Sequence, residues 1–165
     1  GRLSPTGYVL VVAKDAGGDE FYQMHTLANG RLELLTDGKS RNQFNAWSHD
    51  GKLIAYSSTR RNGTDSDLYV MDPGDPGTNR RLAEVEGGGW NALDWSPDDK
   101  TLLSGSKDKT TRLWDVATGQ ELLTLEEHTS PLTLVVFAPV GKRLATASGA
   151  TVKPCLAATG PEATA

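Results

Sequence analysis

At 165 residues, with 37% apolar and 23% charged side chains, the chain has the composition of one globular domain with a core of its own. Its formal charge of −4 has the wrong sign for a nucleic-acid footprint, and no apolar run approaches the ~18 residues of a membrane helix. The single cysteine, Cys155, excludes an intrachain disulfide, while 18 glycines and 8 prolines imply many turns and short strands.

The first turn signal is Leu3-Ser4-Pro5-Thr6-Gly7, and the run Tyr-Val-Leu-Val-Val-Ala over 8–13 reads as the strand after it. That run is apolar on both faces, which a strand tolerates only when both are covered. Further strands are expected over 21–27 and 31–36. The signal returns as Trp47-Ser48-His49-Asp50-Gly51-Lys52 between strands at 44–47 and 53–57, with two more at 67–71 and 81–85. A third copy, Trp95-Ser96-Pro97-Asp98-Asp99-Lys100, separates strands at 90–95 and 101–104, and strands at 111–116 and 121–125 complete the unit. The fourth, Phe137-Ala138-Pro139-Val140-Gly141-Lys142, lies between 132–137 and 143–147. A strand near 151–156 and a stub at 161–165 follow it. Helical periodicity is weak throughout.

The Ser or Ala of each copy stands at 4, 48, 96 and 138, so the spacings are 44, 48 and 42 residues. Periods of ~40–50 residues belong to propellers and solenoids. With the strands of each unit named A to D, the pattern predicts an all-β fold of about four β-propeller blades, each a four-stranded antiparallel sheet. The blades fall near 1–37, 43–86, 89–127 and 131–165 of a single domain. The first lacks its strand A and the last has only a stunted D, which leaves a partial ring or half of an oligomeric propeller.

Residues 47–58, Trp-Ser-His-Asp-Gly-Lys-Leu-Ile-Ala-Tyr-Ser-Ser, and 67–72, Asp-Leu-Tyr-Val-Met-Asp, resemble the blades of TolB-like propellers and of prolyl-oligopeptidase-family propeller domains. That likeness runs from about 8 to 103. From about 104 the pattern changes. Ser-Gly-Ser-Lys-Asp-Lys-Thr-Thr-Arg-Leu-Trp-Asp at 104–115 resembles a WD-repeat blade, as does Glu127-His128-Thr129-Ser130-Pro131-Leu132. The change near Leu102 to Ser106 reads as a recombination joint, natural or engineered.

The WD-repeat resemblance implies that Trp114 and Asp115 close strand C and that Ala117-Thr118-Gly119 makes the C–D turn. It also implies a hydrogen-bonded set: a His before strand A, a Ser or Thr in strand B, an Asp in the B–C turn and the strand-C Trp. In the third blade Ser106, Asp108 and Trp114 fill three of those places, but Glu86 stands where the His belongs. The fourth keeps His128, while Cys155 and Leu156 replace the Trp-Asp pair. Pro154 removes a backbone donor there, tolerable only towards a sheet edge.

Catalytic signals are weak. Ser48-His49-Asp50 spells a triad, yet neighbours in one tight turn cannot converge on a reacting atom. Ser106-Lys107-Asp108-Lys109 matches Ser-x-x-Lys without its companion motifs. With no Gly-x-Ser-x-Gly elbow, phosphate loop or paired His or Cys spacing, no catalytic residue, metal or cofactor is expected. His25, His49 and His128 fall in different repeats. The acidic stretches 15–20 and 65–75 follow no calcium-loop pattern and read as turns, and the sequon at Asn62 reads as chance. The Arg60-Arg61 and Arg80-Arg81 pairs read as solvated faces.

The function expected is a non-catalytic binding or scaffold module that uses loops on a rigid frame and assembles through its blade edges. Its partners would be proteins or a second copy, a head-to-tail homodimer closing about eight blades, with no nucleic acid. The alternatives are the substrate-gating propeller of a prolyl-oligopeptidase-like peptidase without its hydrolase domain, or a recombined or designed propeller with no evolved ligand. No signal peptide opens the chain; a soluble protein is expected, cytoplasmic rather than periplasmic.

Overall fold

Strand follows turn along the whole computed structural model, which describes residues 1–15, 21–28, 30–87, 91–106, 109–126, 132, 134–139, 141, 143–148 and 151–156. No described residue is helical. The first sheet holds β1 (Arg2–Leu3), β2 (Leu10–Lys14), β3 (Gln23–Ala28) and β4 (Arg31–Leu34). The second holds β5 (Asn42–Trp47), β6 (Ile54–Ser58), β7 (Asp67–Asp72) and β8 (Asp75–Ala83). β9 (Asn91–Trp95), β10 (Thr101–Gly105), β11 (Thr111–Asp115) and β12 (Glu121–Leu125) form the third. The fourth has β13 (Leu134–Phe137), β14 (Arg143–Ser148) and β15 (Thr151–Leu156). Neighbours in sequence are neighbours in each sheet, all antiparallel, as hairpin-linked strands require.

The core is three interfaces, each between consecutive sheets. One cluster joins Val11, Met24 and Leu35 of the first sheet region to Ile54, Tyr56, Tyr69 and Met71 of the second. The next joins Ala55, Leu68, Val70 and Leu82 to Trp95, Leu102 and Trp114. The last joins Leu103 and Leu113 to Val135 and Leu144. The two-residue period of a strand explains this division. In β6, Ile54 and Tyr56 face one neighbour and Ala55 the other; in β10, Leu102 and Leu103 part in the same way. β6 and β10 are thus covered on both faces by stacked sheets, whereas in the run at 8–13 only Val11 is fully buried. At the inner rim β9 lies beside both β5 and β13.

Two expectations need correction. The first blade does not lack strand A: β1 pairs with β2 through Arg2↔Val11 and Leu3↔Leu10. Two residues ahead of the Ser4 turn are enough for a short ladder. The outer strand of the second blade starts at Asp75 rather than 81, because Asp72 and Asp75 face each other across Pro73-Gly74. A two-residue hairpin follows where the composition reads as loop. Pro76 is tolerated because β8 is the outer strand of its sheet. The stub at 161–165 lies outside the described residues.

Candidate functional site

The repeated signature builds one turn several times over. Ser48 Oγ donates to Asp50 (2.8 Å) and accepts the Leu53 N–H (2.9 Å); Ser96 does the same with Asp98 (2.7 Å) and Thr101 (2.9 Å). Ser4 accepts the Val9 N–H (3.2 Å). Each turn needs one left-handed residue, supplied by Gly7, Gly51 and Gly141 but by Asp99 in the third blade, at φ 57°. Asp99 has a second task. Its carboxylate accepts the backbone N–H groups of His49 (2.7 Å) and Asp50 (2.9 Å) and faces His49 Nδ1 at 3.1 Å, tying the second blade to the third. Asp99→Ala loses these bonds and strains the turn, so it lowers unfolding free energy by about 2 kcal/mol in urea titrations. Asp99→Gly loses the same bonds without the strain and costs less. Equal costs for the two variants would contradict this account.

The triad reading dissolves in this geometry. Ser48 is fully buried and engaged with Asp50, while the His49 ring is turned to Asp99 in the next blade.

The Trp-Asp pair has a clear structural role. Trp114 Nε1 donates to Ser104 Oγ at 2.8 Å, deep between the second and third sheets. Register explains the choice of acceptor: Trp114 sits opposite Leu102, so Ser104 lies on the same face two residues along. Ser106 is ~13 Å further along the strand than Leu102 at ~3.3 Å per residue. Ser106 itself is buried at the following turn, its N–H bonded to the Thr110 carbonyl (3.2 Å). Asp108 lies outside the described residues. Asp115 caps the next turn, accepting Thr118 N–H and Oγ1–H at 2.8 Å each. Gly119 then adopts φ 75°, and a Cβ there would stand 2.6 Å from the Leu82 carbonyl oxygen. Only glycine fits both demands. Ser104 and Asp99 are the residues that sequence reasoning missed; strand parity would have pointed to the first.

Arg61 gathers the acidic stretch after 65. It makes bidentate bonds to Asp67 (2.7 and 3.1 Å) and reaches Asp65 (3.2 Å) and Glu84 (3.4 Å). Arg60 lies over the Tyr69 ring at 3.8 Å. This pair is therefore built into the blade rather than solvated.

A cleft of about 620 Å³ opens between Tyr22 of the first sheet region and the second sheet, lined also by Arg41, Asn42, Gln43, Thr59 and Thr64. Asn42 Nδ2 donates to the Tyr22 and Ser40 carbonyls (3.1 and 2.9 Å) and to Gln23 Oε1 (3.2 Å). Its Oδ1 has no partner among the described residues, although the residue is only 6% exposed. Arg41 stacks on Phe21 at 4.8 Å.

Turn donors hold several carboxyls below the usual aspartate range. The Lys52 N–H does so for Asp50, the Ser96 hydroxyl for Asp98 and the Thr118 N–H for Asp115. Groups lowered in the folded state add stability above their unfolded pKa and lose it as pH falls through the folded one. Thermal melts should therefore hold steady above about pH 5 and decline below about 4. Burial pushes the Tyr56 hydroxyl up to about 12, so the alkaline limb begins near pH 10 and is complete near 12. An acid limb unchanged in a variant carrying Asn at 50, 98 and 115 would count against the turn carboxylates.

The family model of the WD domain, G-beta repeat, matches residues 81–115 and 119–153. Those two stretches, in the second to fourth blades, are thus similar to WD repeats. Each WD-repeat match begins in or just before the outer strand of one blade, β8 or β12, and runs into strand C of the next. Consecutive blades therefore share a repeat. Polyadenylation factor subunit 2 of Gibberella zeae is 45% identical over 69 residues, 40% of this chain and 11% of that protein. Protein FIZZY-RELATED 3 of Arabidopsis thaliana is 26% identical over 126 residues, 76% of this chain and 25% of that protein. The chain thus spans a minor part of these relatives' lengths. A chain in the crystal structure of a mitotic checkpoint complex superposes with a TM-score of 0.69 at 21% identity, covering 94% of this chain and 45% of its own. Kuenenia stuttgartiensis hydrazine synthase gives 0.70 at 16% identity, over 96% and 58%. At such identities the likeness is one of fold.

Proposed function

We propose that the chain is a non-catalytic β-propeller scaffold that binds protein partners, a second copy among them, through its terminal blades. The distribution of exposed apolar side chains carries this reading. Among the described residues, the second and third sheets expose only Leu122 of the large hydrophobics. The first sheet exposes Leu3, Leu27, Leu32 and Leu34, and the fourth exposes Leu134 and Val152. Within this chain the inner blades are covered on both faces and the first and fourth on one, which leaves apolar faces suited to a further blade or a protein partner. A head-to-tail contact between such ends closes a ring. The buried Ser48 and the His49–Asp99 contact support the absence of catalysis.

A recombined origin, with TolB-like blades over 8–103 joined near Leu102 to Ser106, has less behind it, since the WD-repeat match begins at 81, ahead of that joint.

Sedimentation and light scattering at micromolar concentration test the scaffold reading. The expected result is concentration-dependent assembly that Leu32→Glu with Leu34→Glu weakens, as does deletion of 1–7 or 161–165. A folded monomer showing no concentration dependence would end it.

A further inference from the structure

We infer that Asn62 is a deamidation site: the fold holds it closed while its turn is formed, and the modified residue prevents the turn from reforming. Asn62-Gly63, in the connection between β6 and β7, carries both groups the reaction needs. The Gly63 amide nitrogen attacks Asn62 Cγ. A new N–Cγ bond replaces Cγ–Nδ2, and Nδ2 leaves as ammonia with the proton from Gly63. Water then opens the cyclic imide at one carbonyl or the other, which leaves aspartate or isoaspartate. Glycine brings no side chain to hinder the attack, and both residues are exposed to water.

In the folded chain both groups are held. The Gly63 N–H donates to the Thr59 carbonyl at 2.7 Å. Asn62 Oδ1 accepts the Thr64 N–H and Oγ1–H at 3.0 Å each and the Asp65 N–H at 2.9 Å. Nδ2 donates to Asp65 Oδ2 at 2.7 Å. Three donors on Oδ1 would on their own favour attack by polarising the carbonyl. The Gly63 bond decides against it, because an amide nitrogen attacks only once it has shed its proton. Reaction therefore waits on a local opening of the turn. Asp65 ties that opening to the blade, since it also receives Arg61 at 3.2 Å and the Gly87 N–H at 3.3 Å.

The product does not fit the same turn. Asn62 Nδ2 is the leading donor among those that hold the Asp65 carboxyl below the usual aspartate range. Deamidation puts a carboxylate oxygen in its place, so two negative groups meet where a hydrogen bond stood. Isoaspartate also adds a carbon to the main chain just ahead of the Gly63 N–H. The site lies within the second blade, so it stands whether or not the end blades assemble.

Incubation of the full chain in mildly alkaline buffer, folded and in guanidinium chloride, tests the assignment. Peptide mass mapping over time separates this site from the chain's other Asn-Gly pair, at 29–30. Asn62 should react at least ~10-fold more slowly in the folded chain, because several hydrogen bonds must open first. Asp65→Ala, checked for folding by circular dichroism, should raise the folded rate several-fold and leave the denatured rate unchanged. Asn62→Asp, which reproduces one product, should melt at a lower temperature than the parent chain. Equal folded and denatured rates in the parent chain would overturn the proposal, and that comparison needs no variant. So would a folded Asp65→Ala chain that reacts no faster, or an Asn62→Asp chain as stable as its parent.

Discussion

Asp67→Ala should lower the unfolding free energy by about 3 kcal/mol, the low end of the cost of breaking a buried ion pair. Asp67 is fully buried at the start of β7 and accepts both Arg61 bonds and the Val85 N–H at 3.1 Å. Its loss leaves the Arg61 guanidinium to Asp65 and Glu84, and the 22% exposure of that side chain lets water take part of the burden. Val85 meanwhile loses its acceptor. A second substitution separates charge from packing. Arg61→Met in the Asp67→Leu background removes both charges and should be less destabilising than Asp67→Ala alone, because no charge is left buried without a partner. Urea titrations with unchanged m-values measure the cycle. An Asp67→Ala cost below about 1 kcal/mol would show that the pair adds little beyond a surface bridge.

The second large effect belongs to Trp114. Trp114→Ala should cost about 3–5 kcal/mol, the usual range for emptying a buried aromatic site. The side chain is 5% exposed and packs into the cluster that joins the second and third sheets, so the cavity opens at a blade interface. Trp114→Phe keeps most of the contact and loses the bond to Ser104, which should cost about 1–2 kcal/mol beyond the volume change. Trp95 is the internal control. It lies in the same cluster, 1% exposed, but its Nε1 has no acceptor among the described residues. Trp95→Phe therefore sheds an unsatisfied donor and should cost less than Trp114→Phe. Equal costs for the two would mean that the Ser104 bond contributes nothing.

The architecture was legible because its signals are local and repeated. Three copies of the Ser-centred turn and a fourth with Ala138 set the period, and turn chemistry depends on a few adjacent residues. The two-faced run at 8–13 suggested a strand covered on both sides, but in its own strand only Val11 is fully buried, because this blade has a neighbour on one face alone within the chain. Some errors had the same source. Two residues of β1 carry too little pattern to be seen, and Pro76-Gly77 looks like a loop until an outer-strand position removes the need for a ladder donor.

What the chain determined alone was the hairpin turn, the alternation of apolar faces and the Trp-Asp-Val-Ala-Thr-Gly corner, where Gly119 answers to backbone φ. The tertiary structure decided which groups meet across blades. Asp99 looks like one more turn aspartate until the second blade brings the His49 and Asp50 N–H groups to it. Arg61 looks solvated until folding encloses Asp67. Asn42 Oδ1 is left unpaired when Tyr22 and Gln23 of the preceding blade, with Ser40 two residues back, take up the amide nitrogen. The Asp99 and Asn42 contacts reach across blades, where only the packing of one sheet on the next sets the groups at bonding distance, while the Arg61 pair closes within the second blade.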